Sequence, residues 1–238
     1  MIGTLFMKTL ASFIILMWAS TAGIAIAERS SVVVELFTSQ GCSSCPPADR
    51  LLHELAARDD VIALALHVDY WDYIGWKDQF AVPLNADRQK AYAATAGRRM
   101  IFTPEMIING LDSVVGTRAM QVVDEIYNHA NRPRIIELNA EREGDLLSID
   151  AVIKRAPEKN IVVQLVRYTS ARDIFIERGE NAGLQMTYAN VISSWKTIGQ
   201  WDGKKNFSLN FPVKGEEPVV VLMQYEGHGE ILNAIKLD

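Results

Sequence analysis

Both cysteines of the 238-residue chain fall in one heptapeptide, Gly41-Cys42-Ser43-Ser44-Cys45-Pro46-Pro47. Before it runs Val32-Val33-Val34-Glu35-Leu36-Phe37, a β-branched strand pattern. After it, Ala48, Leu51, Leu52 and Leu55 fall at i, i+3, i+4 and i+7, one face of a helix. A C-x-x-C pair at a strand-to-helix junction sets its outer sulfur near helix N–H groups and the positive end of the dipole, which stabilise a thiolate. The inner thiol is placed to attack a mixed disulfide and release the partner. Cys42 is the expected nucleophile and Cys45 the resolving thiol. With no other cysteine in the chain, the pair can bond within itself, to another molecule or to a metal.

Glu35 interrupts an apolar strand seven residues before Cys42. A buried carboxylate there would have a raised pKa and could relay a proton to the sulfurs; on a half-exposed strand it would only be solvated. The ten residues 67–76 hold one His, two Asp, two Tyr and two Trp. Such a surface could line a groove beside the cysteines, with Trp71 and Asp69 the expected substrate contacts, or simply cover a sheet edge. Arg178-Gly179-Glu180-Asn181-Ala182-Gly183 reads as a tight turn orienting Glu180 and Asn181, with a role at an interface or ligand as the alternative. Cys42, Cys45 and His67 are too few for a four-ligand zinc site, and His129 and His228 show no ligand spacing. No metal and no cofactor is therefore expected. Serine-hydrolase elbows and phosphate-binding glycine loops are also absent from the sequence.

These residues need a scaffold to position them. Residues 31–129 alternate strand and helix patterns in the order β-α-β-α-β-β-α, with a second strand at 61–68 and a helix capped by Asn85. A hairpin turns on Asn109-Gly110, and Thr117 caps a last helix. This is an α/β layered domain. After Pro133 come six strand-like runs, at 134–138, 146–154, 161–169, 207–213, 219–225 and 231–237, which predict a small antiparallel sandwich or barrel. Residues 177–201 look irregular, a loop with one short helix. The expected division is a leader at 1–27, an α/β domain at 28–130 and a β-rich domain at 131–238.

Residues 1–27 carry Lys8 as their one charge, an apolar run at 10–18 and Ala25-Ile26-Ala27, the pattern of a cleaved secretory signal. The protein is thus expected to be periplasmic or secreted, where cysteines oxidise, with no stable membrane anchor after cleavage. With 49% hydrophobic and 22% charged residues the chain is globular, and its formal net charge of −5 argues against a nucleic-acid partner.

The β-C-x-x-C-α start, with Thr103-Pro104 ahead of the third strand, resembles the thioredoxin fold. The segments Leu36-Phe37-Thr38-Ser39-Gln40-Gly41-Cys42-Ser43-Ser44-Cys45-Pro46-Pro47-Ala48-Asp49, residues 67–76 and residues 178–183 together resemble a secreted bacterial thioredoxin-like family of uncharacterised function. The resemblance implies a thioredoxin-like domain with a redox-active pair, a cis Pro104 packed against it, and Thr103 beside the substrate. Gly41 stands where thioredoxins carry an aromatic residue, so the docking surface differs. Pro46-Pro47 delays regular helix to about Pro46, leaving Cys42 farther from the dipole. Function is expected to be extracytoplasmic thiol–disulfide exchange with a protein or small thiol/disulfide substrate. The alternatives are a binding or structural protein with a permanent Cys42–Cys45 disulfide, or a metal-delivery protein.

Overall fold

The computed structural model describes residues 31–237; the expected leader and its cleavage site lie outside them. The first half runs β1 (Val32–Thr38), α1 (Pro46–Ala56), β2 (Val61–His67), a 3-10 turn (Asp72–Ile74), α2 (Pro83–Thr95), β3 (Glu105–Ile108), β4 (Asp112–Val115) and α3 (Ala119–Ala130). The second half is all strand: β5 (Ile136–Glu143), β6 (Leu146–Ile153), β7 (Ile161–Phe175), β8 (Gln185–Trp201), β9 (Phe207–Pro212), β10 (Val219–Tyr225) and β11 (Ile231–Leu237). The order of the first half is the one the periodicity predicts.

The halves do not form separate sheets. Eight strands make one mixed, mostly antiparallel sheet in the order β11-β10-β7-β8-β2-β1-β3-β4, and β5-β6-β9 make a second. The division at residue 131 therefore marks a change of texture along the chain, not a break in the large sheet: β8 joins β2 in parallel at Ala65↔Val191. Pairing of β1 with β2 is also parallel, and with β3 antiparallel. Strands β1, β2 and β10 are buried along their whole length, because both faces of the sheet are covered. On one face α1 and α3 bury Leu52, Leu55, Val122 and Ile126 against Val34, Leu36 and Ala63. On the opposite face, under α2, Phe37, Leu64, Leu66, Tyr92, Val166 and Leu222 form a core that runs through both halves. The small sheet packs Ile136, Leu147 and Ile149 on Val163, Val221 and Met223.

Residues 177–201 depart most from expectation. They hold no helix; instead β7 and β8 form a long hairpin paired from Ile161↔Trp201 to Phe175↔Gln185. Charged and polar residues in β8 hid its alternation, because the strand is half covered for much of its length. Two helix starts also move: Val82 caps α2, whose first residue is Pro83, and Arg118 caps α3. Proline at the first helical position loses no hydrogen bond, so Pro83 outranks Asn85 as the start. Among the described residues no helix is long and apolar enough to cross a membrane.

Candidate redox site

Cys42 and Cys45 are joined as a disulfide, with their Cα atoms 5.4 Å apart. The loop that holds them is tightly folded: the Cys42 N–H donates to the Ser39 carbonyl at 3.1 Å and the Cys45 N–H to the Cys42 carbonyl at 3.1 Å. Cys45 is itself the N-cap of α1, so regular helix begins at Pro46, as the prolines require. One expectation changes here. Pro46 and Pro47 have no N–H, and those of Ala48 and Asp49 both donate to the Cys45 carbonyl, at 2.9 and 3.1 Å. The first turn of α1 thus has no unused N–H for a Cys42 thiolate, which would receive only the field of the dipole.

Two other segments close on this loop. The hairpin tip between β7 and β8 carries Arg178 to Gly183 and delivers Asn181, which is buried. Its side-chain amide donates to the carbonyls of Gln40 and Cys42, both at 2.9 Å. The segment after β2 brings Trp76, whose Nε1–H donates to Gln40 Oε1 at 2.8 Å, and Asp78, whose Oδ2 accepts from the Gln40 backbone N–H at 2.8 Å. Gly41 explains the missing aromatic residue. A Cβ there would lie 3.2 Å from Trp71 Cβ and 3.3 Å from the Trp71 carbonyl oxygen, so glycine lets the Trp71 segment close over the loop.

Trp71 and Thr103, the two expected substrate contacts from distant segments, meet: Trp71 Nε1–H donates to Thr103 Oγ1 at 2.7 Å. Tyr73 stacks on Trp71 and is 80% exposed, so this rim is apolar and open to solvent. Asp69 lies in the turn that precedes the 3-10 turn, where its carbonyl accepts the Asp72 N–H at 3.0 Å. The Thr103–Pro104 bond is cis. Buried Pro104 is held near α1 by Gly116, whose N–H donates to the Pro104 carbonyl at 2.9 Å and whose position leaves no room for a Cβ between Pro104 and Ala48.

Glu35 is not beside the cysteines. Strand alternation turns it to the α2 face, where its carboxylate accepts from Arg88 at 2.6 and 3.0 Å and from the Tyr92 hydroxyl at 2.6 Å. It is fully buried as half of an ion pair with Arg88, on the sheet face opposite the one that α1 and its cysteines cover.

The buried acid next to the pair is Asp49. It stands one helical turn after Cys45, on the inner side of α1, with the Thr38 hydroxyl as the hydrogen-bonding group nearest its carboxylate and, among the described residues, no charge partner in contact. Burial pushes its pKa from 3.8 up to about 7, with nearby His67 and Thr38 pulling the other way. His67 Nε2 is buried with no hydrogen-bond partner among the described residues. His67 is fixed from its far side, where Nδ1 meets Asp78 Oδ2 at 2.8 Å. Tyr188 and Phe80 pack edge-on to the His67 imidazole beside these groups.

Metal ligation has one geometric candidate among the described residues, away from the disulfide. Ligand atoms of Asp112, Glu125 and His129 lie within 4.8 Å of one another. His129 Nε2 already meets Asp112 Oδ2 at 2.7 Å, and the Arg132 guanidinium approaches the same oxygen at 3.5 Å. That group is a charge-paired helix end. His67 has Nδ1 on Asp78 and its other nitrogen buried without a hydrogen-bond partner.

A family described as "Protein of unknown function (DUF1223)" matches residues 33–224, from the first strand to the last but one. The chain belongs to that family. No curated protein matches it. Among solved structures it is similar to protein AGR_C_4864 from Agrobacterium tumefaciens, at 31% identity and a TM-score of 0.75, covering 88% of this chain and 95% of that one. HBP35 of Porphyromonas gingivalis shares the fold at 14% identity and a TM-score of 0.58, over 88% of this chain and 75% of that one. In this DUF1223 chain, Asp49 is the site residue that the sequence did not single out, whereas Asn181 belongs to the 178–183 turn for which an interface role was the alternative reading. Asp49 had a signal: four residues beyond Cys45 on a helix is the same face. For Asn181 the sequence marks the turn but not its partner, because 139 residues separate it from Cys42.

Proposed function

We propose that this DUF1223 protein is an extracytoplasmic thiol–disulfide oxidoreductase on a thioredoxin-like fold. The observation that carries this reading is Asp49, a buried carboxyl with a pKa raised to about 7 by desolvation, one turn of helix inside Cys45. A structural disulfide has no use for such a group, whereas exchange does. A substrate thiolate attacks Cys42 Sγ, forming a mixed disulfide and breaking the Cys42–Cys45 bond. The electron pair leaves on Cys45, and neutral Asp49 supplies the proton that makes it a thiol. A second substrate thiol then displaces Cys42, so the substrate leaves as a disulfide and the pair holds two electrons and two protons. The reverse sequence reduces a substrate, with Asp49 as base for Cys45.

The β-α-β-α-β-β-α order of residues 32–130, the cis Pro104 and the position of the pair at the start of α1 support the thioredoxin-like assignment. The Trp71, Tyr73 and Thr103 rim supports a polypeptide or small thiol as substrate. One observation favours the rival reading of a permanent disulfide: Cys42 is only 2% exposed and Cys45 is fully buried. Mutants separate the two. Cys42→Ser abolishes exchange and Cys45→Ser traps mixed disulfides with partners. A stably expressed Cys45→Ser protein from which no disulfide-linked partner is recovered contradicts the exchange reading.

A further inference from the structure

Exchange at this pair meets an obstacle: an attacking thiolate has to reach Cys42 Sγ, yet Cys42 is 2% exposed and Cys45 is fully buried. A neighbouring segment must therefore move first. The segments around the loop are held unequally. Residues 71–78 are fastened through Trp71 on Thr103, Trp76 on Gln40, and Asp78 on both His67 and the Gln40 N–H. Pro104 is fastened by Gly116 and by its neighbour Glu105, whose buried carboxylate accepts from Gln89, Arg98 and Ser113. The tip of the β7–β8 hairpin, residues 176–184, is not. Its backbone bonds close on itself: Gly183 N–H donates to the Ile176 carbonyl at 2.8 Å, Ile176 N–H to Leu184 at 3.0 Å and Leu184 N–H to Asn181 at 3.2 Å. Among the described residues, the two bonds from the Asn181 amide to the Gln40 and Cys42 carbonyls are the only hydrogen bonds from this tip to a segment outside the hairpin.

Asn181 is itself 4% exposed, which seats the tip directly on the Cys42 backbone. The outer part of the tip stands clearer of the body. Glu177, Arg178 and Glu180 are exposed and form no ion pair among the described residues. A cleft of about 480 Å³ is lined by Glu177 and Arg178 from the tip and by Gly75, Trp76, Lys77 and Gln79 from the segment after β2. We infer that the 176–184 tip is a gate over the disulfide loop, latched by Asn181, and that thiol exchange proceeds from an unlatched state in which Cys42 is uncovered. This gate belongs to the exchange function proposed above, on which it rests. Unlatching is a local event: once the amide leaves, water hydrogen-bonds both carbonyls, so opening costs far less than unfolding. The closed state shields the pair from stray thiols, and a docking substrate draws on the open one. Burial of the sulfurs, which in a rigid loop would mean a permanent disulfide, is then the resting state of a redox site.

Access is read by reducing the purified protein with tris(2-carboxyethyl)phosphine under native conditions, quenching in acid, and alkylating the denatured, desalted protein with a maleimide to count free thiols. Asn181→Ala should be reduced about tenfold faster than wild type or more, the effect of losing the latch bonds. Asn181→Asp keeps the shape but turns an acceptor toward the two carbonyls; it should be at least as fast, and it serves where the alanine variant folds poorly. Glu35→Gln, destabilised on the opposite sheet face, should keep the wild-type rate. A smaller acceleration in both Asn181 variants, or an equal one in Glu35→Gln, would overturn the gate. No substrate takes part, so the result is separate from turnover: a pair that does not exchange shows itself instead by the absence of trapped partners in Cys45→Ser.

Discussion

The side-chain amide of Asn181 donates to the backbone carbonyl of Cys42 at 2.9 Å, tying the tip of the β7–β8 hairpin to the disulfide loop. The same amide nitrogen also holds the Gln40 carbonyl at 2.9 Å. One buried side chain thereby fixes the backbone on which the nucleophile rides, and the second half of the chain becomes part of the redox site.

Asn181→Leu leaves both carbonyls without this donor. Each buried unsatisfied group costs about 1–3 kcal/mol, so the variant should melt several degrees below wild type. Hydrogen exchange should locate the damage: faster exchange at the Cys42 and Cys45 amides, with the strands β10 and β11 unchanged. Loss spread evenly over the molecule would contradict the tie.

Asp49 gives stability a pH dependence of defined sign. Its folded pKa of about 7 is above the 3.8 of the unfolded chain, so between those values the native state holds the extra proton. Stability from this group is fully present below about pH 4 and declines as pH rises toward 7, to an upper limit of about 4 kcal/mol. Asp49→Asn removes the titration. Its melting temperature relative to wild type should rise between pH 5 and pH 8; an offset that does not change with pH contradicts the raised pKa.

Glu35 and Asp49 should separate cleanly in mutants. Glu35→Ala strands the buried Arg88 charge and should destabilise by about 3–5 kcal/mol. The milder Glu35→Gln should lower the melting temperature yet leave the pH dependence of thiol exchange as in wild type. A changed pH profile in Glu35→Gln would restore it as a proton relay.

How much of this was legible in the sequence depends on distance along the chain. The β1–α1 unit, the hairpin on Asn109-Gly110 and the cis Pro104 followed from local pattern or resemblance, since each is set by a few consecutive residues. For Glu35 the sequence leaves open both its burial and which face of a doubly covered strand it takes. The β7–β8 hairpin was half missed because β8 alternates against a partly solvated face, where polar residues break the pattern. Its single parallel pairing with β2, which merges the two halves into one sheet, left no local trace.

Gly116 is the narrowest packing point at the site. A Cβ there would stand 2.9 Å from Ala48 Cβ and 3.2 Å from Pro104 Cβ, so α1 and Pro104 must separate to admit one. Gly116→Ala should cost about 1–3 kcal/mol, the usual range for overpacking, and, on the proposed reading in which Pro104 flanks the exchange site, slow thiol exchange by separating Pro104 from α1. A variant as stable and active as wild type would show that this contact is not needed.

The reduction potential of Cys42–Cys45, measured by equilibrating the purified protein with glutathione buffers at pH 7, tests the central claim most directly. A redox-active pair relayed by Asp49 predicts a value between roughly −120 and −270 mV, the range of known exchangers. A value below about −300 mV would mark a permanent structural disulfide and contradict the proposed exchange activity.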